Sequence, residues 1–228
     1  METVPNTIEN DCSVFKITTQ SQFTPTSTFC LLGKKMIIIV CGTSSSGKST
    51  LCHELQSRLG DGWLSFSTDG YLGMLGDKFA GLHPDNPQVY IPNDICYAHQ
   101  YADGTYEIMP GKLCSKLYFT IPNVLKLLAE QGFSIIVDSF ITTIDEFKSY
   151  KETLENYGVL FVYLDASETT IAQREAARGD RLKGSALHWL KRFNFQEHCN
   201  VCINTEKMDI QQIVNKVFQV LETPITLR

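Results

Sequence analysis

Residues 42–49 read Gly-Thr-Ser-Ser-Ser-Gly-Lys-Ser, and each residue type suits a task that a chain of phosphates requires. Gly42 and Gly47 let the backbone curl so that successive N–H groups converge on one anion. Ser44, Ser45 and Ser46 contribute their amides more than their hydroxyls, with Thr43 and Thr50 flanking them in the same cofactor-binding set. Lys48 extends a cation toward the β- and γ-phosphates, and the Ser49 hydroxyl suits Mg²⁺. A helix starting at Lys48 also aims its positive end at the anion. This Walker A pattern predicts a bound nucleoside triphosphate with Mg²⁺. By itself it leaves open phosphoryl transfer, hydrolysis or a switch.

Two carboxylates and a run of arginines bear on that choice. Asp69 and Asp138 each end a strand-like stretch, which places both at the mouth that holds the loop. An aspartate there helps hold Mg²⁺ in phosphate-loop enzymes; the competing role is a helix N-cap, since aspartate also satisfies orphan amides. Asp165 is similarly placed, and for it the reading is N-cap of the helix that begins near Ser167. Residues 174–184 read Arg-Glu-Ala-Ala-Arg-Gly-Asp-Arg-Leu-Lys-Gly. Arg174 and Arg178 share a helix face, and Arg181 follows in a glycine-bounded turn. Phosphoryl transfer needs cations that neutralise charge on the moving group; the bland counterpart is a solvated, salt-bridged helix end. The five histidines have no metal spacing, and His53 reads as a surface or packing residue. Cys199-Asn-Val-Cys202 is a lone pair with no second pair for zinc.

The elements that must position these residues follow from periodicity. Met36–Cys41 is an apolar, β-branched run, as a strand buried on both faces requires. Leu51, Leu55 and Leu59 then recur at helical spacing, which predicts a helix over 48–59. Further strands are predicted at 63–67, 134–137, 159–164 and 201–203. Helices are predicted at 112–131, 143–156, 168–178, 184–194 and 209–221. Strands alternating with helices imply a mostly parallel five-stranded sheet with helices on both faces and ligands at the strands' carboxyl ends. Prolines at 84, 87, 92 and 110 break the pattern, and Asp103-Gly104 between aromatic flanks signals a β-hairpin. Residues 81–110 therefore read as an insertion over the substrate side, and 1–33, rich in polar residues, as a leader before a domain spanning 34–228. The tyrosines and phenylalanine around the insertion (Tyr71, Phe79, Tyr90, Tyr97, Tyr101, Tyr106 and Tyr118) favour an aromatic ligand.

A chain of 228 residues with 43% hydrophobic content and net charge −5 suits one sizeable α/β domain. It lacks the basic footprint that duplex nucleic acid requires. No apolar run approaches the ~20 residues of a membrane span. The eight cysteines fit a reducing, cytoplasmic setting.

The chain resembles the chloramphenicol phosphotransferase family of small P-loop kinases. The resemblance rests on Gly42–Ser49, on Trp63-Leu-Ser-Phe-Ser-Thr-Asp69 and on Ala102-Asp-Gly104. It extends to Ile135-Ile-Val-Asp138 and Arg174-Glu-Ala-Ala-Arg-Gly-Asp-Arg181. These stretches occur in family order from about residue 36 onward, and the last is the most discriminating. The resemblance implies an α/β, three-layer P-loop NTPase fold with a small lid at 178–185 and a mid-chain insertion. It makes Asp69 the base facing an acceptor hydroxyl and puts Arg178 and Arg181 over the nucleotide. The expected activity is transfer of the γ-phosphate of ATP to a hydroxylated small molecule. Asp69, Lys48, Arg178 and Arg181 would be catalytic, residues 42–50 and Arg174 would hold ATP, and Ser49 and Asp138 would serve Mg²⁺. A zeta-toxin-like kinase of a nucleotide sugar, nucleotide or macromolecular hydroxyl shares this layout. A nucleotide-dependent binding module without transfer is the third reading.

Overall fold

The computed structural model describes residues 35–75, 96–192 and 195–222. The expected leader at 1–33, residues 81–95 of the expected insertion, Phe79 and Tyr90 lie outside those residues, as does the Tyr97 side chain. At the centre is β1 (Met36–Cys41), buried along its whole length. Its side chains alternate between two cores. Ile37, Ile39 and Cys41 enter one, Met36, Ile38 and Val40 the other. A strand with both faces covered must be apolar throughout, as this one is.

Four strands join β1 in parallel: β2 (Trp63–Ser67), β5 (Ser134–Asp138), β6 (Gly158–Asp165) and β7 (Val201–Asn204). Their order is β2-β5-β1-β6-β7. The chain thus fills one side of β1 with β2 and β5 and the other with β6 and β7. A crevice opens at the carboxyl end of β1, where that order diverges. Helices α1 (Lys48–Leu59) and α8 (Ile210–Glu222) cover one face of the sheet. Leu51 and Leu55 of α1 are fully buried, each contributing roughly 1.5–3 kcal/mol. The other face carries α3 (Lys112–Tyr118), α4 (Ile121–Glu130) and α5 (Ile144–Thr153). The result is a three-layer α/β sandwich.

The remaining described elements lie at the crevice end. They are the short helix α2 (Thr68–Leu72), the hairpin β3 (Cys96–Gln100) and β4 (Tyr106–Pro110), α6 (Glu168–Arg178) and α7 (Ser185–Leu190). The hairpin turns at Asp103–Gly104, closed by Tyr101 N–H donating to Thr105 O at 2.9 Å. It is joined to the segment before α7 by Tyr106 N–H donating to Lys183 O at 2.9 Å. The Tyr101 ring stacks on His188 of α7 with centroids 4.3 Å apart.

Three expectations need correction. The single helix over 112–131 is two helices, α3 and α4, with Phe119 and Thr120 between them. Pro122 sits in the first turn of α4, where its missing N–H costs nothing; one continuous helix would drive its ring into the Tyr118 carbonyl. The helix expected over 184–194 stops at Leu190. Asp165 is not the cap of α6. Ser167 is, its hydroxyl accepting from Thr170 N–H at 3.2 Å, and Asp165 remains in β6.

Candidate functional site

A cleft of about 1140 Å³ runs across the carboxyl ends of the strands, lined by residues 44–51 of the loop and the first turn of α1. Gly42 turns the chain out of β1. Its φ is +142°, and a Cβ there would stand 2.7 Å from the Leu164 carbonyl oxygen. Only glycine fits both the conformation and the approach. Ser46 N–H donates to Thr43 O at 3.3 Å, which closes the loop. Gly47 then caps α1 without any side chain bonding the first amides. Those amides face the cleft as unclaimed donors at a positive helix end. The hydroxyls of Ser45 and Ser46 are buried without a partner among the described residues. Such a cradle of donors fits a phosphate chain.

Thr43 is turned the other way. Its hydroxyl donates to Ala186 O at 2.7 Å, and it is 1% exposed, so its side chain ties the loop to α7. Lys48 lies back across the loop, Nζ donating to Thr43 O at 2.8 Å. Burial pushes its ammonium below the usual range, against the opposing pull of Asp138 and then Asp69.

Ser49 and Asp138 meet directly, the hydroxyl donating to Oδ2 at 2.6 Å. Asp138 ends β5 in register with Val40 and Ser67. It does not cap the next helix, because Thr143 does so in a reciprocal box with Glu146. A hydroxyl and a carboxylate side by side form the hard-oxygen donor set that Mg²⁺ takes.

Asp69 sits in the first turn of α2. The cap of that helix is Ser67, whose hydroxyl accepts from Gly70 N–H at 3.2 Å. Asp69 is therefore left for the cleft, which it lines. Arg181 stands opposite, Nη2 3.7 Å from Asp69 Oδ2. Arg178 is paired with Asp180, at 3.1 Å from Nε and 3.3 Å from Nη2. Arg174 lines the same cleft but is held by the turn that follows β7, donating to Thr205 Oγ1 at 2.9 Å and to Thr205 O at 3.2 Å. Lys48, Ser49, Thr50, Asp69, Asp138, Arg174, Arg178 and Arg181 thus line one cleft, with Ser44, Ser45, Ser46 and Gly47 between them.

The cleft has two unlike ends. Beyond Arg174 it is walled by Met208, Ile210 and Ile213. On the Asp69 side the walls are aromatic: Tyr118, Phe119, Phe140 and Trp189, with Ile108 and Pro110 from the hairpin. Of the described aromatics picked out from sequence, only Tyr118 is among the lining residues. Tyr101 instead donates to Glu107 at 2.5 Å outside the cleft, and Tyr71 packs on Phe66. Phe119, Phe140 and Trp189 were missed. They lie beyond the insertion, and no local pattern separates a cleft-facing aromatic from a core one.

Comparisons with known proteins follow the same line. The family described as chloramphenicol phosphotransferase-like protein matches residues 35–222. No curated protein sequence matches the chain. An unliganded sugar kinase from Janibacter sp. HTCC2649 is similar over 82% of this chain and 95% of its own, with 16% identity and a TM-score of 0.58. The APS kinase of Mycobacterium tuberculosis, solved with AMPPNP and APS, aligns over 83% and 99%, with 14% identity and a TM-score of 0.56. A gluconokinase from Sinorhizobium meliloti 1021 aligns over 81% and 90%, with 18% identity and a TM-score of 0.52. At such identities these structures speak for the fold. No helix among the described residues is long and apolar enough to cross a membrane.

Proposed function

The chain belongs to the chloramphenicol phosphotransferase-like family, a P-loop phosphotransferase, and from that premise we propose that it moves the γ-phosphoryl of ATP to a hydroxyl of a small aromatic molecule. The observation that carries the reading is the Asp69–Arg181 pair. A carboxylate and a guanidinium face each other at 3.7 Å across a cleft that also holds Lys48. A module that merely bound nucleotide would need neither an acceptor-side carboxylate nor a cation on the turn opposite it.

In this reading the amides of 44–49 and Lys48 hold the phosphates. Ser49 and Asp138 would hold Mg²⁺, which when bound would neutralise phosphate charge. Asp69 orients the acceptor hydroxyl and takes its proton as the new O–P bond forms. The bond from the γ-phosphorus to the bridging oxygen breaks, and ADP leaves. Arg178 and Arg181 exchange their carboxylate partners for the transferring phosphoryl, and the 178–185 lid excludes water. The aromatic wall supplies stacking area for the acceptor.

The test is an acceptor panel with Mg²⁺ and ATP: chloramphenicol, simple sugars, a nucleotide sugar and a hydroxylated-metabolite extract. A phosphomonoester of an aromatic alcohol supports the reading. A phosphorylated nucleotide sugar as the best product, or ATP turnover with no transferred product, rejects it.

Two further outcomes are expected. Asp138→Asn weakens the carboxylate that would steady the metal, so a Mg²⁺ titration should need roughly 10–100-fold more metal for half-maximal rate; an unchanged titration would dismiss Asp138 from the metal site. The second concerns protons. Phosphates beside the Lys48 ammonium raise a pKa that burial has lowered, so the complex keeps the proton to higher pH than the free protein does. Binding of the nucleotide should therefore take up protons in the alkaline range, and affinity should fall as pH rises through the lowered Lys48 pKa. Calorimetry in two buffers of different ionisation heat reads this directly, and absence of uptake contradicts it.

A further inference from the structure

Glu175 is a carboxylate in the wrong kind of place. It lies on α6, one turn before Arg178, yet it is 6% exposed. Burying a carboxylate costs several kcal/mol unless donors replace its water, and three donors do so. Gly184 N–H donates to Oε2 at 2.6 Å, Ser185 Oγ to Oε1 at 3.1 Å and Ala186 N–H to Oε1 at 2.8 Å. All three belong to the start of α7, whose N-cap Gly184 has no side chain to offer. Glu175 caps that helix from another one.

The consequence reaches the site. The turn 179–184 leaves α6 at Arg178 and returns to the same helix at Glu175, so both ends of the arginine turn are fixed to one rigid rod. Ala186, held by its N–H to Glu175, accepts from Thr43 through its carbonyl at 2.7 Å. The phosphate loop, the arginine turn and α6 are thereby tied at one point. The hairpin joins there too. Gly184 has φ +79°, and a Cβ on it would stand 2.7 Å from Thr105.

We propose that Glu175 is a positioning residue of the transfer site: by clasping the start of α7 it holds the arginine turn at the distance from the phosphate loop at which Arg181 meets the transferring phosphoryl. This rests on the kinase reading above. Glu175 touches neither nucleotide nor acceptor in that reading, and it acts through Arg178 and Arg181. Arginines that act mainly on the moving phosphoryl affect turnover more than nucleotide affinity, and this separates positioning from general support of the fold.

Glu175→Gln is the sharp variant. Its carbonyl still serves Ser185 and Ala186, but its NH₂ meets the Gly184 N–H donor to donor. The expected result is a fall in kcat of about 10–100-fold, with the Kd for Mg²⁺–AMPPNP within about threefold of wild type. Amide exchange at Gly184 should quicken, while that of β1 stays as it was. Wild-type kcat in Glu175→Gln overturns the proposal, and so does a loss of AMPPNP affinity equal to the loss of turnover. If that variant does not fold, Ser185→Ala removes one donor and leaves the carboxylate; a fall in kcat of about fivefold is then expected, and unchanged kcat with quicker exchange at Gly184 is the contrary result. Wild-type protein that binds AMPPNP but phosphorylates no hydroxyl defeats the kinase reading instead. The same comparison of variants is then made on ATP hydrolysis, where equal rates defeat the clasp.

Discussion

Lys48→Ala is expected to remove nucleotide binding and phosphoryl transfer together. The ammonium already lies against the loop, bonded to the Thr43 carbonyl in a half-buried position, and burial lowers its pKa there. A cation partly withdrawn from water gains more from an incoming phosphate than a fully exposed one does. Truncating one partner of such a desolvated pair costs about 2–5 kcal/mol, or roughly 30-fold to several thousandfold in Kd. Alanine also removes a cation that Asp138 and Asp69 attract, so the two carboxylates would face the triphosphate with less compensation, Arg181 remaining opposite Asp69. Equilibrium binding of a fluorescent ATP analogue with Mg²⁺ measures the effect. Tight binding retained by Lys48→Ala would remove the phosphate-loop assignment.

Asp69→Asn is expected to split the two functions that Lys48→Ala loses together. Asparagine keeps the shape of the side chain and can still contact a hydroxyl, but it does not accept a proton. General-base groups contribute about 10²–10⁴-fold, and transfer should fall by that much. Nucleotide binding should change little. Asp69 has a side chain 70% exposed, and its contact with Arg181 is a long 3.7 Å, so water screens most of its charge. The residual effect on ATP has the opposite sign to that on transfer, since one negative charge leaves a cleft that must accept several. A variant with full transfer activity would strip Asp69 of its role.

The parts of this account that the sequence made legible are the local ones. The loop was readable because its whole pattern lies within eight consecutive positions, between a strand apolar on both faces and a helix with Leu51 and Leu55 one turn apart. The parallel sheet followed from alternation of elements. The fate of Asp165 was not readable. Aspartate and serine both cap helices, and the two-residue difference between Asp165 and Ser167 is decided by where β6 ends, which depends on its pairing with β7. The break at Phe119–Thr120 was signalled by Pro122 but read through. The aromatic wall was least legible, because Phe140 and Trp189 come from distant segments that pack edge to face at 5.1 Å only once folded. Glu175 was visible in the arginine string, yet its task depends on three donors nine to eleven residues away.

The measurement closest to the central claim follows the γ-phosphoryl itself. Wild-type and Asp69→Asn proteins are incubated with γ-labelled ATP, Mg²⁺ and the acceptor panel, and the label is located by mass. The account predicts label on an acceptor hydroxyl with the wild type and none above background with Asp69→Asn, while both bind ATP. Label found only in inorganic phosphate with the wild type, or transferred equally by both proteins, would contradict it.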